Sequence, residues 1–217
     1  DSGLKDNTLI LFLSDNGAEG HDMERYRSNV TWVPETFDNS LASIGSARSY
    51  VALGTSWARA INAPLRDSKG RLGEGGTRVP AFVSMTGLES RTDDAYVRIM
   101  DVAPTFLELA GADAPPSMMG RSFLDWLQGG SPPYLDTEAV AAEIFGRRMA
   151  RRGDWKILLQ EPPLGSGDWQ LYNLATDLGE QHDLSAAHPE IRAELIAAWE
   201  VYAADVGVIL PETPIEY

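Results

Sequence analysis

The chain has 217 residues, 43% of them hydrophobic, and a formal net charge of −14 from 18 Lys and Arg against 32 Asp and Glu. This supports a core for one large domain, or a domain with an appendage, and argues against a broad nucleic-acid or anionic-membrane surface. The absence of Cys excludes disulfides, thiolate ligands and cysteine nucleophiles from this stretch, and no apolar run reaches the length of a membrane span.

The opening "DSGLKDNTL" lacks the layout of a signal peptide and reads as a loop or helix end entering a strand, with a further segment expected before it. Residues 8–13 are apolar throughout, as in a strand covered on both faces of a parallel or mixed sheet. Residues 20–40 read as an irregular excursion, with the mixed charges of "HDMERYR" and an aromatic patch at Trp32 and Phe37. A short helix is predicted over 41–44, followed by loop, because Gly45 and Gly54 oppose a long helix. The stretch "LRDSKGRLGEGGTRVP" is a glycine-rich loop, and "VPAFVSM", residues 79–85, is a second buried strand with Pro80 at its entrance.

"MDVAPTFLELAG" predicts a helix capped by Asp101, with Pro104 in its first turn, Gly111 as its stop, and Val102, Phe106 and Leu109 on one face. "GRSFLDWLQGG" predicts a shorter one, with Ser122 and Asp125 at capping-box spacing. Glycines and prolines from 129 to 133 then place a boundary, giving domains 1–135 and 136–217. Beyond it, "AEIFGRRMARRGDWKILLQ" holds two strands around Gly153-Asp154, and "GDWQLYNL" holds another. A last helix starts at Pro189, with His188 as its cap and Ile191, Leu195, Trp199, Tyr202 and Val206 as its apolar stripe. The second domain is thus a small α+β unit, an antiparallel sheet covered by a helix.

Two stretches carry chemistry. In "TLILFLSDNGAEG" the Asn-Gly pair suits a hairpin turn, but the upstream side is continuously apolar and the downstream side is no strand. Asp15 and Asn16 then sit at the carboxyl end of a buried strand, where ligand sites of open α/β sheets gather. A carboxylate and an amide oxygen are hard donors suited to Ca²⁺ or Mg²⁺, yet two donors are only part of a shell. In the glycine-rich loop, Gly73, Gly75 and Gly76 allow tight turns, and Lys69 with Arg71 or Arg78 can meet an anion. The alternative is a solvated charged loop with Arg78 paired to a nearby acid. The order GxxxxGK[ST] is absent, so a nucleotide phosphate loop is a poor fit.

Taken in order, "SDNG", "NAP" followed by Lys69, "GGTRVP", "RRGDWKILL" and "WQLYNLATDLGEQHDL" resemble the carboxyl-terminal part of a sulfatase of the arylsulfatase type. The resemblance implies part of an alkaline-phosphatase-like α/β mixed sheet sandwiched by helices, followed by the small α+β subdomain. It implies Asp15 and Asn16 as two ligands of one Ca²⁺, Lys69 as a contact to the sulfate group, and Arg78 as a supporting residue. It implies a small-molecule sulfate ester as substrate, with no nucleic acid or membrane as partner. The family's formylglycine segment, its earlier Asp-Asp pair and its upstream lysine and histidines have no counterpart here. His21, His182 and His188 do not match those positions, although His21 lies beside the presumed metal loop. The stretch is therefore expected to be the distal part of a longer enzyme, inactive and weakly calcium-binding alone, and to meet a missing amino-terminal half or self-associate through uncovered sheet surface. A phosphate or phosphonate ester hydrolase of the same superfamily, and a noncatalytic accessory protein, are the alternatives.

Overall fold

The computed structural model describes residues 3–22 and 29–212, and most of the mixed-charge run, residues 23–28, lies outside them. In chain order the elements are β1 (Ile10–Leu13), α1 (Asn29–Thr36), α2 (Gly54–Asn62), α3 (Glu74–Thr77), β2 (Ala81–Ser84), α4 (Val102–Leu109) and α5 (Leu124–Leu127). They continue with β3 (Ala139–Ile144), β4 (Arg147–Arg152), β5 (Trp155–Leu159), β6 (Gln170–Asn173) and α6 (Pro189–Val206). They form two compact units, Asp1–Asp15 with Pro80–Glu138, and Asn16–Val79 with Ala139–Tyr217. No helix among the described residues is long and apolar enough to cross a membrane.

In the first unit, β1 and β2 pair antiparallel with Phe12 opposite Phe82, their rings stacked 5.2 Å apart. The expectation of strands covered on both faces is corrected here. Ile10, Phe12 and Phe82 are each more than half exposed, so these apolar side chains find no cover among the described residues. α4 ends before Gly111, whose φ of +68° provides the predicted stop. Its predicted apolar face is not the buried one: Phe106 and Leu109 are exposed, while Pro104 and Thr105 are buried.

Asp101 does not cap α4 with its side chain. Its fully buried carboxylate instead accepts bonds from the backbone N–H of Arg98 at 2.7 Å, that of Arg121 at 2.8 Å and the Tyr134 hydroxyl at 2.8 Å. It thereby joins three segments, and three donors offset the cost of burying a carboxylate. The capping box at α5 is only half made. Ser122 accepts from Leu124 N at 3.2 Å, whereas Asp125 turns forward to Ser131 N at 3.0 Å.

The second unit is built on an antiparallel sheet in the order β3-β4-β5-β6. The predicted hairpin at Gly153-Asp154 joins β4 to β5, and Gly153 with φ +55° matches a turn with glycine in its first central position. The segment holds one strand more than expected. Phe145 and Gly146, at φ +56° and +87°, make a second two-residue turn joining β3 to β4. Alternation divides the sheet into two faces. Ala141, Ala150, Ile157 and Leu171 meet Leu195 and Trp199 of α6, with Ile191 and Tyr202 packed alongside. Each fully buried Leu or Ile contributes about 1.5–3 kcal/mol. His188 precedes α6 but makes no side-chain cap; its ring packs on Trp155 at 4.9 Å.

The opposite face carries Arg147, Met149, Lys156, Leu158 and Tyr172, and Leu72 of the glycine-rich loop is buried against Met149, Leu158 and Tyr172. Two helices upstream of that loop depart from expectation. α1 lies inside the stretch read as irregular, and α2 occupies residues read as loop, while 41–44 form turns. Gly54 opens α2 at φ +68° rather than breaking it, and the helix is held by the full burial of Ala58. Tertiary packing has overridden a local breaker.

Candidate active site

β1 ends at Leu13, and the chain bends through residues 15–17 just beyond its carboxyl end. Because β1 pairs with β2, Asn16-Gly17 is not a hairpin turn. Asp15 is exposed; Asn16 is half-buried, and its amide nitrogen donates to Gly17 O at 2.9 Å, which orients the side chain.

From Asn16 onward the chain is laced to the glycine-rich loop. Gly17 N donates to Gly76 O at 3.1 Å, and Lys69 N donates to Ala18 O at 3.0 Å. Asn62, the last residue of α2, is the hub: its Oδ1 accepts from Ala18 N at 3.4 Å, and its Nδ2 donates to Asp67 O at 2.9 Å and Gly75 O at 2.8 Å. The contact is so close that a Cβ on Gly17 would lie 1.8 Å from Gly75 O. The same reason, rather than tight turning, accounts for Gly73, Gly75 and Gly76. None of them has a positive φ, and a Cβ on any would strike Asp67 or Arg71 within 2.5 Å. The turning glycine is Gly70, at φ +80°.

Lys69 extends its ammonium to within 3.0 Å of Glu19 Oε2, with about a third of its side chain exposed. The other Glu19 oxygen accepts from His21 N at 3.0 Å and lies 2.6 Å from His21 Nδ1. Partial burial pushes the Glu19 carboxyl up, but the bonds from Lys69 and His21 outweigh it and hold the carboxyl below its ordinary range. Lys69, Glu19 and His21 are thus one charged group, with His21 buried beneath it. An ammonium has three N–H donors, so one can engage a carboxylate and an incoming anion together. Arg71 and Arg78 pair with acids of the loop itself, Asp67 and Glu74, each at 3.8 Å. His182 and His188 are at the surface, near Asp177 and Glu190.

The loop is pinned from below by the sheet. Fully buried Lys156 places its Nζ 2.8 Å from both Glu74 Oε1 and Glu180 Oε1, and Glu180 Oε2 accepts from Glu74 N at 2.9 Å. Burial favours a neutral lysine, but the two carboxylates overcome it and raise the Lys156 pKa. Arg66 donates to the Tyr172 hydroxyl at 2.8 Å, Gln160 to Asp67 Oδ2 at 2.8 Å, and Arg147 to Gly70 O at 2.8 Å. Glu19, Asn62, Arg147, Lys156 and Glu180 are residues that sequence reasoning missed. One signal was available: Lys156 interrupts the apolar "WKILL", and alternation puts it on the face of Leu158.

Among the described residues, no three His, Asp or Glu side chains are grouped to hold a metal. The chemistry of Asp15 and Asn16 fits a hard divalent cation, as two oxygens of the six to eight that Ca²⁺ takes.

The sequence pattern of the sulfatase family matches residues 1–112. An uncharacterized sulfatase of Schizosaccharomyces pombe is 38% identical over 95% of this chain, which spans 40% of that protein. An arylsulfatase of Klebsiella aerogenes is 33% identical over 57% of the chain, which spans 27% of it. The chain therefore spans well under half the length of these relatives. The crystal structure of the PsFucS1 sulfatase from Pseudoalteromonas sp. superposes over 99% of this chain and 40% of its own, with TM-score 0.56 and 21% identity. Likeness at that identity establishes the α/β, alkaline-phosphatase-like fold.

Proposed function

Because the chain belongs to the sulfatase family, we propose that it is the distal part of a calcium-dependent sulfatase of the formylglycine type. The reaction is hydrolysis of a sulfate ester, in the first instance an aryl sulfate, to an alcohol or phenol and sulfate. The observation that carries this reading is the lacing of Lys69 to the segment after β1: its backbone N–H bonds to Ala18 O at 3.0 Å, and its ammonium lies 3.0 Å from Glu19. The cation that family resemblance assigns to sulfate thus stands beside the segment that carries Asn16.

Asp15 and Asn16 would hold Ca²⁺, which supplies Lewis-acid polarisation of a sulfuryl oxygen when bound. The formylglycine nucleophile is assigned to the upstream part of the longer protein. Lys69 binds a sulfuryl oxygen and holds the negative charge that accumulates there as the ester bond breaks. Glu19 keeps the ammonium oriented before substrate arrives, so little reorganisation remains to be done in the transition state. His21, by anchoring Glu19, stiffens the same group. The −14 net charge is compatible with an anionic substrate, because a divalent ion held by Asp15 and Asn16 would, with Lys69, dominate the local field. The uncovered β1–β2 surface would be met by the upstream half, or by self-association where that half is absent.

The test is turnover of 4-nitrophenyl sulfate by the full-length protein. Lys69→Ala should lower kcat/KM by about 10²-fold or more, the scale of removing one preorganised donor. An unchanged kcat/KM overturns the role of Lys69. A higher kcat/KM on a phosphonate monoester replaces the sulfatase reading, and no turnover of any ester by the full-length protein favours an accessory role.

A further inference from the structure

We infer that Arg147 is a positioning residue for Lys69: from the second strand of the sheet, its guanidinium fixes the Gly70 carbonyl and thereby the direction in which the neighbouring lysine points. The inference rests on the proposal that Lys69 binds the sulfate group.

Arg147 is 2% exposed, deep between sheet and loop. Its Nη1 donates to Gly70 O at 2.8 Å, while Nε and Nη2 donate to Glu161 Oε1 at 3.1 and 2.7 Å. The guanidinium is therefore a rigid fork with one arm on the loop and two on a carboxylate. Burying such a cation costs several kcal/mol before pairing, and apolar replacements of buried ion pairs are often as stable. Packing alone therefore does not call for an arginine here. Directionality does: the donor meets a carbonyl one residue beyond Lys69, in a turn whose Gly70 has φ +80°. On the other side, Lys69 N is fixed to Ala18 O at 3.0 Å. Two residues earlier, Asp67 adopts φ +73°, an uncommon value for a residue with a side chain, and its carboxylate accepts from Gln160 Nε2 at 2.8 Å. Residues 67–70 are thus held on both flanks of Lys69, by the sheet and by the segment after β1. Misplacing a reacting partner by about 1 Å can cost about 10²-fold in rate, and the backbone clamp guards against that displacement.

The experiment uses the full-length protein with 4-nitrophenyl sulfate as substrate and inorganic sulfate as inhibitor. Arg147→Met should fold, lower kcat by about 10-fold or more and weaken sulfate inhibition. Combined with Lys69→Ala, it should cost nothing beyond Lys69→Ala alone, because it acts through that residue. Arg147→Lys, which keeps a donor for Gly70 O, should recover part of the loss. Losses that multiply in the double variant, or Arg147→Met with wild-type kinetics, overturn the inference. If Arg147→Met fails to fold, Glu161→Gln loosens the guanidinium without removing it. A several-fold loss that vanishes in the Lys69→Ala background supports the inference; no loss, or a multiplying one, overturns it. Lys69→Ala without effect on turnover or sulfate inhibition sinks the assignment of Lys69 itself, whereas a damaging Lys69→Ala beside a harmless Arg147→Met sinks only the positioning role.

Discussion

Replacing Lys156 with Met tests how the glycine-rich loop is held on the sheet. The ammonium is fully buried, 2.8 Å from carboxylates whose side chains are 5% and 0% exposed. Methionine keeps the length and the apolar stem but removes the buried cation between Glu74 and Glu180, with Arg78 still 3.8 Å from Glu74. Burial, joined by repulsion from the Glu74 carboxylate, already holds the Glu180 carboxyl above its ordinary range even with Lys156 present. Glu74 is also pushed up by burial, and the Lys156 charge reverses this and holds it low. Removing one member of a buried pair costs about 3–5 kcal/mol, and two carboxylates depend on this one, so the upper half of that range is expected. Against a total stability of about 5–15 kcal/mol, the loss is large.

The assay is urea unfolding of the full-length protein at pH 7.5, repeated at lower pH. The deficit should shrink on acidification, because protonating the stranded carboxylates removes the unpaired charge. Combining Lys156→Met with Glu74→Gln and Glu180→Gln should restore most of the stability. In the unaltered protein the folded Lys156 pKa is raised, so its contribution is fully present below the ordinary 10.5 and is lost only as pH rises through the higher folded value. A deficit below about 1 kcal/mol at pH 7.5, or one that grows on acidification, would refute the reasoning.

Gly17→Ala should lower turnover of 4-nitrophenyl sulfate by the full-length protein more than tenfold, since the new Cβ would sit 1.8 Å from Gly75 O and neither backbone can yield cheaply. Gly45→Ala, with nothing within 4 Å, should cost only the strain of its φ of +85°, about 1–2 kcal/mol. Glu19 should titrate below its ordinary 4.5 by carboxyl-carbon NMR, and its stabilising effect, present above 4.5, should fade as pH falls through the folded value. In Lys69→Ala that midpoint should rise; an unmoved midpoint disproves the coupling. The 217-residue chain by itself should not turn over an aryl sulfate and should bind Ca²⁺ weakly in calorimetry, because Asp15 and Asn16 are two donors of a larger shell. Tight stoichiometric binding contradicts that account.

Much of the second unit was legible in advance. The Gly153-Asp154 turn and the Leu195 and Trp199 stripe of α6 are short-range patterns, and local backbone preferences with 3.6-residue periodicity suffice to produce them. The Phe145-Gly146 turn was not legible, because nothing local announces a bulky residue at φ +56°. The stop of α4 at Gly111 was legible, but its buried side was not, since Phe106 and Thr105 compete for the core and only the partner surface decides. At the candidate site, the strand end before Asp15 and the loop bearing Lys69 could both be located from residue order. That Glu19 orients Lys69, and that Asn62 ties residues 18, 67 and 75 together, could not.

Sequence by itself determined the family, the strand that delivers Asp15 and Asn16, and the charge types available in each loop. Tertiary structure alone decided which of those charges find partners: Lys156 meets Glu74 and Glu180, and Arg147 meets the Gly70 carbonyl, across separations of 24 to 82 positions in the chain. The physical reason is range. Turns and helix stripes arise from neighbours a few residues apart, whereas burying an ionised group is tolerable only when folding brings its partner to hydrogen-bond distance.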